Sequence, residues 1–206
     1  MSVVRPCIYR YVQRVATPFL RLGSTICALV PAVVLCAGTV RAQSVSEYEI
    51  KAAFLYKFAS FVQWPAAAGS PVASAHAAAN PICIGVLGLD QFGPSLDRVV
   101  RGKLVSGREF AVERFHSASQ ALHCDMVFIS RSEQSRMRET LEVFRGKPVL
   151  TVSEVTGFCE LGGFINLKVI DAAIRFEINV AAGERAGLRF SSKLLSLARI
   201  VPEVSP

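Results

Sequence analysis

The sequence lacks the motifs of the common catalytic classes. No G-x-S-x-G, H-E-x-x-H or G-x-x-x-x-G-K-[ST] segment is present, which removes serine hydrolases of the elbow type, zinc proteases and P-loop enzymes. Gly85-Val86-Leu87-Gly88 follows an apolar run, but it is not the G-x-G-x-x-G turn of dinucleotide-binding proteins. The sequence therefore predicts a binding protein without a cofactor, and an enzyme is the poorer hypothesis.

Histidine is scarce, and cysteine does not occur in metal-binding spacing. The three histidines, His76, His116 and His123, stand at no ligand or triad spacing, and we expect each at the surface. No Cys-x-x-Cys or Cys/His metal pattern occurs. The sequence thus predicts neither a redox-active dithiol nor a zinc site.

Acidic residues are absent from residues 1–42, which carry five arginines. Between Arg21 and Arg41 lie 19 uncharged residues, and Ala42 offers the small side chain that a signal peptidase requires. We therefore predict a signal peptide over residues 1–42 and one exported domain over residues 43–206. Residues 22–40 are nearly long enough to span a bilayer, so an uncleaved membrane anchor is the alternative.

Loss of the signal peptide changes the charge balance and the cysteine count. Of the 23 basic residues 18 remain, against 16 acidic ones, so the net charge falls from +7 to +2. This near-balance argues against a nucleic-acid partner, which needs a concentrated basic surface. Of the six cysteines only Cys83, Cys124 and Cys159 remain.

Two of these cysteines begin apolar runs. Cys83 opens the run at residues 82–87 and Cys124 precedes the run at residues 126–129, so both are predicted at strand beginnings. If the strands are parallel neighbours, the two thiols meet, and a bridge across 41 residues would stabilise the fold by roughly 4 kcal/mol. Three buried free thiols are the alternative.

The first element of the predicted domain is a helix. Ser46 and Glu49 have the spacing of a capping box. Large apolar residues follow at intervals of three and four, which predicts a face that packs mainly in the core: Ile50, Phe54, Phe58 and Phe61. Trp64-Pro65 ends the helix, and residues 66–81, rich in Ala, Ser, Pro and Gly, are predicted to be a mobile loop.

The remaining chain alternates between strand and helix patterns. Strands are predicted at residues 82–87, 110–115, 125–129 and 149–152, with a short helix capped by Asp90 or Ser95 and another at residues 132–144. Alternation of this kind is typical of a mostly parallel sheet with helices on both faces. Apolar runs at residues 164–170 and 174–179 flank Asp171-Ala172-Ala173, which predicts a C-terminal β-hairpin. We therefore expect a single α/β domain.

Two polar groups are candidate partner or ligand surfaces. Arg175, Glu177 and Asn179 alternate along one strand and point to one side of it. A second group precedes or begins a predicted helix, where free amides and positive charge favour an anion: Arg189, Ser191, Ser192 and Lys193. A solvated sheet face and ordinary helix capping by Asn179, Ser191 or Ser192 are the alternatives.

Five segments, taken in order, carry a resemblance to a known family. They are Glu49-Ile50-Lys51-Ala52-Ala53-Phe54-Leu55-Tyr56-Lys57-Phe58 with Trp64-Pro65, Ile82-Cys83-Ile84-Gly85-Val86-Leu87-Gly88, Gly146-Lys147-Pro148-Val149-Leu150-Thr151-Val152-Ser153, Ile174-Arg175-Phe176-Glu177-Ile178-Asn179 and Ala186-Gly187-Leu188-Arg189-Phe190-Ser191-Ser192-Lys193-Leu194-Leu195. In these segments the chain resembles the YfiR-like (DUF4154) family of periplasmic proteins, over nearly all of residues 43–206.

The resemblance implies a periplasmic homodimer that represses an inner-membrane diguanylate cyclase by binding its periplasmic sensor domain. Release of that repression raises cyclic di-GMP and favours biofilm formation. The resemblance also implies that Cys83 and Cys124 form a family disulfide that influences folding and repression. Some members carry a further cysteine seven residues after the position of Cys159, where this chain has Asn166. A periplasmic carrier or sensor of a small ligand, using the Arg175 or Arg189 region, is the alternative function.

Overall fold

A computed structural model describes residues 46–65 and 80–202 of the chain. The helices are α1 (Glu47–Phe61), α2 (Pro94–Val100), α3 (Met137–Phe144), α4 (Val180–Arg185) and α5 (Ser192–Leu195), with 3-10 helices at Ala118–His123 and Arg131–Arg136. The strands are β1 (Val62–Gln63), β2 (Ile82–Leu87), β3 (Phe110–Phe115), β4 (Met126–Ile129), β5 (Leu150–Ser153), β6 (Ile165–Ile170), β7 (Ala173–Ile178), β8 (Arg189–Phe190) and β9 (Arg199–Ile200). The predicted signal peptide and residues 66–79 of the predicted loop lie outside the described residues.

Helix α1 begins at the predicted capping box. The Ser46 hydroxyl accepts the amide of Glu49 at 3.2 Å, and the Glu49 carboxylate accepts the amide of Ser46 at 3.3 Å. The helix ends at Phe61, earlier than the Trp64-Pro65 pair that was expected to stop it. The reason is β1, whose two residues pair antiparallel with β8 and so require extended backbone before the proline.

The main sheet has seven strands in the order β3-β2-β4-β5-β6-β7-β9. All neighbours are parallel except β6 and β7, which form the predicted C-terminal hairpin. The hairpin turns at Asp171 and Ala172, whose φ angles of 50° and 57° are those of a two-residue turn with left-handed backbone. The mostly parallel α/β architecture is therefore confirmed.

Helices cover both faces of the sheet, and the side chains of its central strands point alternately into two hydrophobic cores. Ile84 and Phe128 point to the face covered by α1 and α2. Leu87 and Ile129 point to the opposite face, which α3 and the Ala118–His123 helix cover. The prediction of helices on both faces is confirmed.

Two further helices differ from those expected. Residues 131–136 form a 3-10 helix before α3, so the predicted helix at 132–144 has two parts. Helix α2 begins after Gly93, whose φ of 52° suits glycine, and not after Asp90 or Ser95. Asp90 instead accepts the amides of Phe92 and Gly93 in the turn before the helix, at 2.8 and 3.2 Å.

The apolar face of α1 was predicted only in part. Phe58 is buried, but Ile50 is exposed, and Phe54 and Phe61 are half-buried. The buried face of the helix consists of Lys51, Ala52, Leu55, Phe58 and Ala59. Within the described residues, no helix is long and apolar enough to cross a membrane.

Candidate functional site

The half-buried aromatic residues of α1 line an apolar groove of about 360 Å³. We define the apolar groove by Ile50, Ala53, Phe54, Lys57, Phe58 and Phe61 of α1, Phe176 of β7, and Lys193, Leu194 and Leu197 at the C-terminal end. The ring of Phe176 forms its floor, with its centroid 5.8 Å from that of Phe54 and 5.3 Å from that of Phe58. The sequence showed the aromatic spacing of α1, but the fold leaves part of that face open.

Two lysines border this groove. The Nζ atom of Lys193 lies 5.6 Å from the ring centroid of Phe61, a cation–π contact on the groove wall. Lys57 lies one helical turn from Phe54 and from Phe61 and also lines the groove. Among the described residues that line the groove none is acidic. An apolar segment that carries acidic residues would therefore fit both its shape and its charge.

A disulfide joins Cys83 to Cys124, with Cα atoms 4.6 Å apart. Strand β2 is the parallel neighbour of β4, so the beginnings of the two strands meet at one edge of the sheet, as the sequence pattern predicted. Asp125 supports this edge, because its carboxylate accepts the amide of Cys83 at 2.9 Å and pairs with Arg108 at 3.0 Å.

His123 and Glu113 lie directly beside the disulfide. We call Cys83, Glu113, His123 and Cys124 the Cys-His-Glu cluster. The sulfur atoms and a ring nitrogen of His123 lie within 4.8 Å of one another. The sequence contains no metal-binding spacing, so this cluster could not be predicted from it. Its residues come from β2, β3 and the 3-10 helix before β4, which meet only in the folded sheet.

The residues of the first predicted polar group differ in their exposure to solvent. Arg175 is exposed, but Glu177 is buried in ion pairs with Lys168 at 2.7 Å and Arg199 at 3.3 Å. Asn179 is wholly buried and caps α4 by accepting the amide of Ala182 at 2.9 Å. Glu177 and Asn179 present no open surface, and Asn179, which follows the end of β7, has the alternative role of a helix cap.

Asn179 also orders the free thiol of Cys159. Its amide group donates to the carbonyl of Cys159 at 2.9 Å, and the thiol lies 3.6 Å from the carbonyls of Phe164 and Glu177. Burial, aided by the charges of Glu160 and Glu177, raises the pKa of Cys159 to about 12. This thiol is therefore inert in the folded protein.

The second predicted polar group lies at β8 and α5. Arg189 is exposed on β8 opposite Gln63, and Ser192 and Lys193 are exposed on α5. Ser191 is occupied as the cap of α5, since its hydroxyl accepts the amide of Leu194 at 3.2 Å. Helix α5 has only four residues, so its dipole adds little to anion binding at its beginning. Only Lys193 of this group belongs to the apolar groove.

Sequence reasoning missed a buried ionic cluster at the carboxyl end of β5. Lys51 of α1 pairs there with Glu154, and both side chains are at most 4 % exposed. The hydroxyl of Tyr48 donates to Glu154 at 2.9 Å, while Glu47 forms a second ion pair with Lys51. The sequence does show Lys51 within an otherwise apolar helix face, which indicates a buried charge. Its partner Glu154 could not be predicted because it is remote in sequence.

The family model described as YfiR/HmsC-like (DUF4154) matches residues 48–199, well over half of the chain. The chain belongs to the YfiR/HmsC-like family. The family assignment made from the five sequence segments is thereby confirmed. The matched region of this YfiR/HmsC-like protein includes α1 from Tyr48 onward, the Cys-His-Glu cluster and the whole apolar groove.

The fold of this YfiR/HmsC-like protein is also seen in a solved structure. A conserved domain protein from Vibrio cholerae O1 biovar eltor strain N16961 superimposes with a TM-score of 0.51 at 12 % sequence identity. The match covers 75 % of this chain and 60 % of that protein. At this identity the similarity supports the fold alone.

Proposed function

We propose that this protein is a periplasmic regulatory binding protein that represses an inner-membrane diguanylate cyclase. The apolar groove is the observation that carries the proposal, because it offers a partner a shaped surface in a member of the YfiR/HmsC-like family. The proposed occupant is an apolar segment with acidic residues in the periplasmic sensor domain of the cyclase. As the family resemblance implies, the proposed repressor has no catalytic activity of its own and forms a homodimer.

The groove has the composition of an interaction surface. Its walls are aromatic and aliphatic. Contiguous exposed apolar surface of this kind is typical of sites that bind another molecule. Leu197 at its rim is 69 % exposed, although its neighbour Leu194 is buried. Lys57 and Lys193 add positive charge that would steer and orient an acidic partner.

The test compares two exposed leucines in a strain whose own copy of the gene is deleted. Deletion should raise cyclic di-GMP, and the wild-type protein should lower it again. L197E places a charge in the groove and should fail to restore repression. L104E should restore it, because Leu104 is 58 % exposed and lies outside the groove. Envelope levels of all three proteins are measured by immunoblotting.

The same variants test direct binding. L197E should weaken binding to the purified sensor domain at least about tenfold, because it places an unpaired charge in an apolar contact, and L104E should not. Deletion without any change in cyclic di-GMP, and without a membrane cyclase among envelope crosslinks, would refute the proposal. Loss of the dimer in L197E, seen by sedimentation, would assign the groove to a second copy instead.

A small-ligand carrier is the competing function. Arg189 lines an open groove of about 560 Å³ together with Glu184, Phe190 and Leu195. A thermal-shift screen of anionic and aromatic small molecules addresses this function, since a ligand at 100 times its Kd stabilises the folded state by about 2.7 kcal/mol. Stabilisation that R189A abolishes would support the carrier. If no compound stabilises the protein at high concentration, the carrier function is refuted.

A further inference from the structure

The Cys-His-Glu cluster joins three strands at one edge of the sheet. Cys83 is the second residue of β2 and Glu113 lies on β3, the parallel neighbour of β2. His123 ends the 3-10 helix that leads into β4, and Cys124 follows it. The cluster therefore holds two sulfur atoms, an imidazole and a carboxylate at a single point of the fold.

Three distances within the cluster are close to those between the ligand atoms of a tetrahedral metal site. Sγ of Cys124 lies 3.8 Å from Nε2 of His123, Sγ of Cys83 lies 3.6 Å from Oε1 of Glu113, and Nε2 of His123 lies 3.2 Å from Oε2 of Glu113. A zinc ion with bonds of about 2.3 Å to sulfur and about 2.0 Å to nitrogen or oxygen holds its ligand atoms roughly 3.3 to 3.8 Å apart. The two sulfur atoms, bonded to each other, must separate before a metal can bind both.

The ring of His123 is already oriented as a ligand. Its Nδ1 atom lies 3.0 Å from the carbonyl oxygen of Gln120, which can only accept a hydrogen bond, so Nδ1 carries the proton and donates it. Nε2 is then the ring atom left to bind a metal, and it lies 3.2 Å from a carboxylate oxygen of Glu113, so both atoms can contact one cation. Metal-bound histidines are held by the same kind of outer hydrogen bond.

We propose that the reduced protein binds Zn²⁺ in the Cys-His-Glu cluster. A dithiol reductant first transfers two electrons and two protons to the disulfide, which gives two cysteine thiols and converts the reductant into its own disulfide. Zn²⁺ then binds both sulfur atoms as thiolates, with release of the two protons, and takes Nε2 of His123 and one oxygen of Glu113 as its other ligands. The disulfide and the zinc site are mutually exclusive.

The ligand set and its exposure favour zinc. Two thiolates with an imidazole and a carboxylate form a borderline-soft set, which suits Zn²⁺ and not Mg²⁺ or Ca²⁺. The side chains of His123 and Glu113 are 58 % and 44 % exposed, so the ion has an entry path from solvent. An open groove lined by Trp64 and Lys147 also reaches His123 and Cys124.

Zinc would keep the sheet edge joined after the disulfide is reduced. The ion links β2, β3 and the beginning of β4, where the disulfide links only Cys83 and Cys124. It also occupies both sulfur atoms and so slows their reoxidation. This proposal concerns the edge of the sheet alone and does not depend on the apolar groove or on the identity of the partner.

The test is a zinc titration of the full chain with a competing chromophoric chelator. The protein is reduced with a phosphine, freed of reductant and kept without oxygen. The control variant C83S/C124S retains Cys7, Cys27, Cys36 and Cys159 and measures any zinc held elsewhere. Reduced wild type should bind one more Zn²⁺ per chain than this variant. The oxidised wild type should not bind the additional ion, which gives a comparison that needs no mutation.

Variants of the other two ligands identify the site without touching the disulfide. H123N and E113Q should each weaken zinc binding to the reduced protein by at least about 10- to 100-fold, the range known for loss of even an outer partner of a metal site. Their oxidised forms should melt like the wild type. With Co²⁺ as the probe, the reduced wild type should show thiolate charge-transfer absorption that C83S/C124S lacks. Equal zinc binding by wild type and C83S/C124S, or unchanged affinity in both H123N and E113Q, would overturn the proposal.

Discussion

Lys51 and Glu154 form an ion pair that is buried at the carboxyl end of β5, although 103 residues separate them in sequence. The pair ties α1 to the parallel sheet. Tyr48 donates to the same carboxylate, and Arg131 approaches it at 3.6 Å, so Glu154 is the centre of a small network. Because both charges are out of water, each depends on the other for compensation.

Removal of one partner of this pair should destabilise the protein strongly. K51M leaves the carboxylate of Glu154 buried without its closest cation, and we expect the free energy of unfolding to fall by about 3 kcal/mol or more. K51M/E154Q removes both charges and should recover a large part of that loss. Urea denaturation followed by circular dichroism measures both. A loss below about 1 kcal/mol in K51M would show that the network does not hold α1 to the sheet.

Asn179 should prove a structural residue and not a recognition residue. N179A removes the cap of α4 and the hydrogen bond to the carbonyl of Cys159, which should cost about 1 to 2 kcal/mol of stability. N179D keeps the acceptor for the amide of Ala182 and should cost less. Affinity for the sensor domain, measured on folded protein by calorimetry, should be unchanged. A tenfold loss of affinity with unchanged stability would return Asn179 to the recognition surface.

The thiol of Cys159 should resist modification in the folded protein. Its raised pKa of about 12, against a usual 9.0, lowers the thiolate fraction near pH 8 about a thousandfold, and burial blocks access as well. Alkylation followed by peptide mapping should label Cys159 only after denaturation. Labelling at the rate of an exposed thiol in native protein would contradict the buried position.

The same thiol should make stability depend on alkaline pH. The unfolded chain releases this proton near pH 9, while the folded protein holds it up to about 12. The folded state therefore binds more protons in this window, and the free energy of unfolding should fall as pH rises from about 9 to 12. C159A removes this contribution. The difference in stability between wild type and C159A should accordingly shift with pH above 9 and stay constant below it.

Replacement of Gly183 by alanine should destabilise the protein although Gly183 lies within a helix. A Cβ atom at this position would stand 2.4 Å from the ring of Phe190, so G183A forces a displacement of that ring. We expect a lower melting temperature, although helix propensity alone favours alanine by about 1 kcal/mol. G183A/F190L relieves the clash and should recover stability relative to G183A. A G183A protein more stable than wild type would show that propensity outweighs the contact.

Much of the fold could be predicted because its signals are local. The capping box at Ser46 and Glu49, the strand at residues 82–87 and the hairpin around Asp171 all depend on neighbours a few residues apart. The end of α1 was placed too late because β8, which pairs with β1, lies more than 120 residues away. Local propensity contains no information about such a partner.

The candidate sites were less predictable than the fold. The period of two grouped Arg175, Glu177 and Asn179, but it could not show that Arg175 is exposed while Glu177 and Asn179 are buried. The aromatic spacing of α1 similarly indicated a face without showing which part of it would remain open. Exposure depends on what the rest of the chain packs against that face.

Sequence by itself determined the family, the mostly parallel α/β architecture and the position of Cys83 and Cys124 at strand beginnings. Tertiary structure alone decided the convergence of Glu113 and His123 on that disulfide, and the opening of a groove between α1 and Leu197. The physical reason is the distance along the sequence over which each kind of interaction acts. Periodicity and capping act over a few residues, whereas sites form where strands and helices distant in sequence are brought together by burial of a shared core.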